Sequence, residues 1–223
     1  MQDEVACRVA ADPALRHRAG VEADLPLPAN VRMYDVAGAA HATVVKAEGC
    51  NLAPGRLDWA PVARATLQRL DQWVVTNVAP QPAHSAATCQ GRSPVLQAPK
   101  NLPDAVIQVR QGDADGNPLG GVRLPDIAVP LGVHGVQNEP LSFTCSLVGA
   151  YLPFAKTKDA ATDKRPSLAE RYKDHGDYVN RVRIAAREAE AAGFLLPEDA
   201  AIIVNSAAES PIFGQVAPSG PPR

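Results

Sequence analysis

His41 is the residue whose placement in this chain most suggests chemistry. It lies three residues beyond Gly38, which closes the apolar stretch running from Val31 to Val36. An imidazole changes charge near neutral pH, so it can accept a proton and hand it back within one reaction cycle. Open α/β sheets place ligands and catalytic groups beyond the carboxyl ends of their strands. A histidine just past such a strand is therefore a candidate general base of a nucleophilic triad. On position alone the commoner outcome is plainer, a loop histidine bonded to a backbone group.

The partners such a base needs are harder to find. The G-x-S-x-G elbow that exposes a nucleophile after a strand does not occur. Ser142, Ser146, Ser206 and Ser210 sit in ordinary apolar or helical contexts. Asp24 and Asp35 are near His41 in sequence, but Asp35 belongs to the strand itself and should point to a sheet face rather than to the loop. Asp113-x-Asp115-x-Asn117 begins like a calcium loop and then fails, with Pro118 where the glycine belongs and Leu124 where the glutamate belongs; a turn is expected. His41, Cys50, His84 and Cys89 match no structural-zinc spacing. No metal and no cofactor is expected. There is no C-x-x-C among Cys7, Cys50, Cys89 and Cys145. Those four allow one or two disulfides in an exported protein or four thiols in a cytosolic one, the plain thiol being favoured for each; Cys145 reads as a small buried hydrophobe.

The elements that would position His41 follow from pattern. Pro26 and Pro28 exclude a helix and force an extended approach to a buried strand of about six residues over 31–36. Asp58 can cap a helix with Pro61 in its first turn, and Val62, Leu67, Leu70, Trp73 and Val74 recur at helical spacing to about Val78. That stripe should pack on the sheet beside the strand. Further on, residues 106–109 and 122–131 read as a loose hairpin around the 113–121 turn, and 143–154 as a buried apolar run. Ser167 and Glu170 have capping-box spacing. The clearest helix runs from Asp174 to Ala192, with Tyr178, Val182, Ala185, Ala189 and Ala192 on one face and Gly193 as its stop. Pro197 opens a last helix that should bury Ile203, Val204 and Ala207, and the Pro-rich tail from Ala217 to Arg223 should fray. Three regions result: 1–78, 79–150 rich in Pro and Gly, and a helical 151–223.

Composition narrows the function. In 223 residues, 46% hydrophobic content is enough to bury a core, while a net charge of -2 and 4% aromatics offer nucleic acid neither attraction nor a stacking platform. No run approaches the ~20 apolar residues of a membrane span. The N-terminal residues do not read as a signal peptide, which leaves the compartment open.

Four segments carry a resemblance. They are DLPLPANVRMYDVAGAAHA from Asp24 to Ala42, LQRLDQWV from Leu67 to Val74, GNPLGGVRLPD from Gly116 to Asp126, and AAGFLLPEDA from Ala191 to Ala200. In that order, over about 20–210, they resemble the α/β-hydrolase-domain family called abhydrolase family ten. The resemblance implies the C-terminal portion of an α/β-hydrolase fold, comprising the last sheet strand, the histidine loop and a packing helix, followed by a loop-rich and helical C-terminal extension. Members are longer than this chain, and their serine and acid lie in an N-terminal part with no counterpart here. Only His41 carries over, as the triad histidine. The implied function is esterase-like hydrolysis of a small-molecule ester, completed by an N-terminal hydrolase segment or a partner chain and inactive without it. The reading of a different class is a non-catalytic accessory module that binds a partner through an apolar surface. Isolated, either would expose that surface and be marginally stable.

Overall fold

The computed structural model describes residues 27–42, 46–84, 88–90, 108–136, 138–140, 142–158 and 163–213, with backbone alone for 88–90 and 108–110. The regular elements are α1 (Ala60–Thr76), β1 (Thr88–Gln90), β2 (Gln108–Arg110), α2 (Pro125–Ala128), β3 (Gly132–Val136), α3 (Phe143–Val148), β4 (Ala150–Pro153), α4 (Leu168–Arg171), α5 (His175–Ala191) and α6 (Pro197–Ala208), with a 3₁₀ turn at Pro211–Phe213. Asp24, Cys7 and the 217–223 tail lie outside the described residues.

The predicted strand at 31–36 is extended, but it is held by two single bridges rather than a long ladder. On one side Asp35 N–H donates to His84 O at 2.9 Å and His84 N–H to Met33 O at 3.1 Å. On the other, Val122 N–H donates to Asp35 O at 2.7 Å and Ala37 N–H to Val122 O at 3.0 Å. Both neighbours run parallel to it. Regular pairing lies elsewhere, in two antiparallel two-stranded sheets, β1 with β2 and β3 with β4.

The expected hairpin is therefore corrected. β2 pairs with β1, and the 122–131 stretch turns helical where Pro125 supplies a ready-made first-turn φ for α2. The turn between them forms as expected: Asp113 Oδ1 accepts the N–H groups of Asp115 and Asn117, each at 3.0 Å. The apolar run at 143–154 is also corrected in part. It divides into α3 and β4, and Phe143 is 82% exposed.

α5 is the spine. Asp174 caps it by accepting Asp177 N–H at 2.8 Å, and Gly193 ends the turn beyond it at φ 77°. Its Ala186 and Ala189 join Ala37, Leu57, Val122, Leu124, Ile127 and Phe194 in one core. Its Tyr178, Val182 and Ala185 join Val133, Phe154, Leu168 and Tyr172 in another. Each fully buried aliphatic side chain contributes about 1.5–3 kcal/mol. α4 starts as its spacing requires, with the Glu170 carboxylate accepting both the N–H (2.9 Å) and the hydroxyl (3.0 Å) of Ser167. α6 buries Asp199, Ala200 and Ala207 and leaves Ile203 and Val204 half-buried.

α1 forms where predicted, opening with Pro61 after Asp58 Oδ1 takes Ala60 N–H at 2.9 Å. Its packing differs from expectation. Only Pro61, Val62 and Ala65 are buried, whereas Leu67, Leu70 and Val74 are 66%, 50% and 79% exposed. Trp73 is half-covered, by the Arg32 guanidinium 4.8 Å above its ring. The described residues place no sheet against the outer stripe.

Candidate active site

The loop bearing His41 leaves the 33–37 segment through a passage that only glycine fits. Gly38 adopts φ 71°, and a β-carbon there would lie 2.7 Å from Ile127 Cδ1 and 2.9 Å from His134 Cβ. Beyond it the chain is braced against α3: Ala42 N–H donates to Leu147 O at 3.1 Å. The returning chain is fixed to the same place, since Gly55 N–H donates to Val148 O at 3.0 Å and Tyr151 N–H to Ala53 O at 3.1 Å.

Two further bonds lock this region, and neither was read from the sequence. A disulfide joins Cys50 to Cys145, with Cα atoms 5.6 Å apart. The thiol reading is therefore overturned for both residues. Cys145 is buried, as a small hydrophobe would be, but it is a cross-link, and Ser142 caps the helix that presents it. The second lock is Asn138, which is wholly buried. Its amide oxygen accepts Leu52 N–H and Glu139 N–H, and its amide nitrogen donates to Leu52 O and Gly149 O, all within 3.0 Å. Every donor and acceptor of that side chain is used, which fixes residue 52 to the β3–β4 region.

His41 itself is exposed at the surface of this braced loop and makes no hydrogen bond or ion pair with another described residue. Asp35 is buried on the 33–37 segment. The cysteine and histidine set weighed for zinc is not assembled: Cys50 is in the disulfide, and His84 stands edge-on to Phe194 at 4.9 Å. No group of three metal-binding side chains occurs among the described residues.

Sequence reading also passed over His134. It lies on β3 beneath the Gly38 turn, 4% exposed, with its ring 4.9 Å from that of Tyr151. Its Nδ1 is buried without a hydrogen-bond partner among the described residues. Burial first, and the Arg56 guanidinium second, hold its pKa down at about 4, so the ring is neutral at pH 7. No spacing signal marks it, because Gly132 and Gly135 interrupt the alternation of its strand.

A base-type side chain on a loop beyond a paired extended segment is an arrangement that hydrolases of the α/β class use. The whole-chain comparison agrees at that level: an alpha/beta hydrolase domain model, that of abhydrolase family ten, matches residues 11–205. The chain belongs to that family. No curated protein and no solved structure matches it. Among the described residues no helix is long and apolar enough to cross a membrane.

Proposed function

We propose that His41 is the general base of a serine hydrolase acting on an ester or related acyl bond, and that the nucleophile and the triad acid come from a segment outside this sequence. The observation that supports this is the exposed imidazole on a loop braced through Ala42, at the end of the bridged 33–37 segment. In such an enzyme His41 takes the serine proton as the hydroxyl attacks the carbonyl, then returns it to the leaving alcohol. With no G-x-S-x-G in the sequence, the chain alone turns over nothing.

The test is fluorophosphonate labelling read by intact mass. The chain alone gives no adduct. Co-expressed with an upstream-encoded segment carrying G-x-S-x-G, it yields an adduct on that segment, formed about 10²–10⁴-fold more slowly with His41→Ala. A stoichiometric adduct on this chain by itself, lost in His41→Ala, would overturn the reading in favour of a complete small hydrolase.

A second reading, a non-catalytic module that binds a partner chain, is favoured by one observation. The outer stripe of α1 leaves Leu67, Leu70, Val74 and Val75 each at least half exposed, as is Val78 just past its end. Association with the upstream segment that persists in His41→Ala, with no adduct in any combination, selects this reading.

A further inference from the structure

Away from His41, a recess of about 320 Å³ opens between α1, α2, α5 and α6. It falls at the lower end of the ~300–1,000 Å³ usual for small-molecule sites. Pro61, Leu124, Val182 and Ile203 form its apolar walls. Its charged lining is unbalanced. Arg64 and Asp199 satisfy each other, with Arg64 Nε 3.2 Å from Asp199 Oδ2. That leaves one cation, Arg56, against two carboxylates, Asp58 and Asp126.

Arg56 is already engaged: its guanidinium lies 5.1 Å above the Tyr151 ring. Asp58 spends one oxygen on Ala60 N–H. Asp126 forms no ion pair with any described residue. Asp126 lines the recess and is exposed to solvent. Partial loss of hydration raises its carboxyl above its ordinary value, and the like charge of Asp58 adds to the effect. Tyr178 stands close by, its hydroxyl pushed up to about 12 by burial and then by Asp126, and it therefore stays protonated.

We propose that this recess binds a small organic cation, an amine on a short apolar stem, with Asp126 and Asp58 receiving the ammonium group. A primary ammonium carries three N–H donors, and the two carboxylates and the Tyr178 hydroxyl are three of the acceptors among the residues that line the recess. The stem lies along Val182 and Ile203. An anion would have to approach two carboxylates that form no ion pair with a described residue, and its natural partner, Arg56, is stacked over the Tyr151 ring. The proposal does not rest on the hydrolase reading, because His41 does not line the recess.

The experiment titrates the full chain with n-butylammonium, n-butanoate and n-butanol while following backbone amide shifts. Butylammonium should saturate in the millimolar range, moving Tyr178 and Asp126, and should weaken at least tenfold in Asp126→Asn. Asp126→Glu, which keeps the charge, should retain it. Butanoate or butanol binding equally well would overturn the proposal, as would the absence of saturable butylammonium binding or an unaffected Asp126→Asn.

Discussion

The imidazole of His134 is enclosed by β3, Tyr151 and the Gly38 turn, and that enclosure has a thermodynamic consequence. Its pKa of about 4 in the fold lies below the ordinary 6.5, so the unfolded chain binds a proton there more readily than the folded one. The stability that neutral His134 contributes is complete above about pH 6.5 and is lost as pH falls through about 4. The full span is on the order of 3 kcal/mol. Denaturant unfolding at a series of pH values should show that slope, and His134→Leu should flatten it. An unchanged slope in the variant would assign the acid loss to another group. The exposed His41 has no comparable enclosure, and its role is read through labelling kinetics instead.

Among the elements, α1 separates what pattern reveals from what it does not. Its position was legible because Asp58, Pro61 and the 3.6-residue recurrence of Val62, Leu67, Leu70, Trp73 and Val74 agree. Periodicity defines an apolar face but not what covers it, and most of this one is open to solvent. Replacing Leu67, Leu70 and Val74 by Lys together should therefore leave the melting temperature within a few degrees and reduce self-association in sedimentation. Val62→Ala, at a site only 3% exposed, should lower stability by about 1–3 kcal/mol. A collapse of the fold in the triple variant would mean that the stripe is buried in solution. α5 was legible for the same kind of reason, with Asp174 at its start and Gly193 past its end. β3 and β4 were not. Gly132 and Gly135 break the alternation of β3, and a β-carbon at Gly132 would meet Leu152 O at 2.4 Å, a close approach that no sequence pattern announces. Pro125 sits where either an edge strand or a helix start accepts it, and the helix start won.

For the molecule as a whole, contacts distant in sequence carry the organisation, and these were the least legible. Asp115 of the turn pairs with Arg171 of α4, whose guanidinium lies 3.9 Å above the Phe154 ring. Asn117, wholly buried, donates to Gly132 O at 3.1 Å and accepts His134 N–H at 2.9 Å. The location of His41 could be read from the chain, whereas the bonds bracing its loop span 86 residues in Asn138–Leu52 and 95 in Cys50–Cys145. By loop entropy a cross-link of that span is worth roughly 3–5 kcal/mol. Cys50→Ser with Cys145→Ser should lower stability by about that amount and speed amide exchange at Ala42. Unchanged exchange there would separate the disulfide from the His41 loop.

The same cross-link turns the backbone from Cys50 to Cys145 into a covalent ring that contains α1, α2 and β3. A protease that cuts once inside this ring opens it without releasing either end. The nicked molecule stays one species of unchanged mass, apart from the water added at the cut, until a reductant divides it in two. A single cut beyond Cys145 separates the pieces at once whenever packing is undone by denaturant.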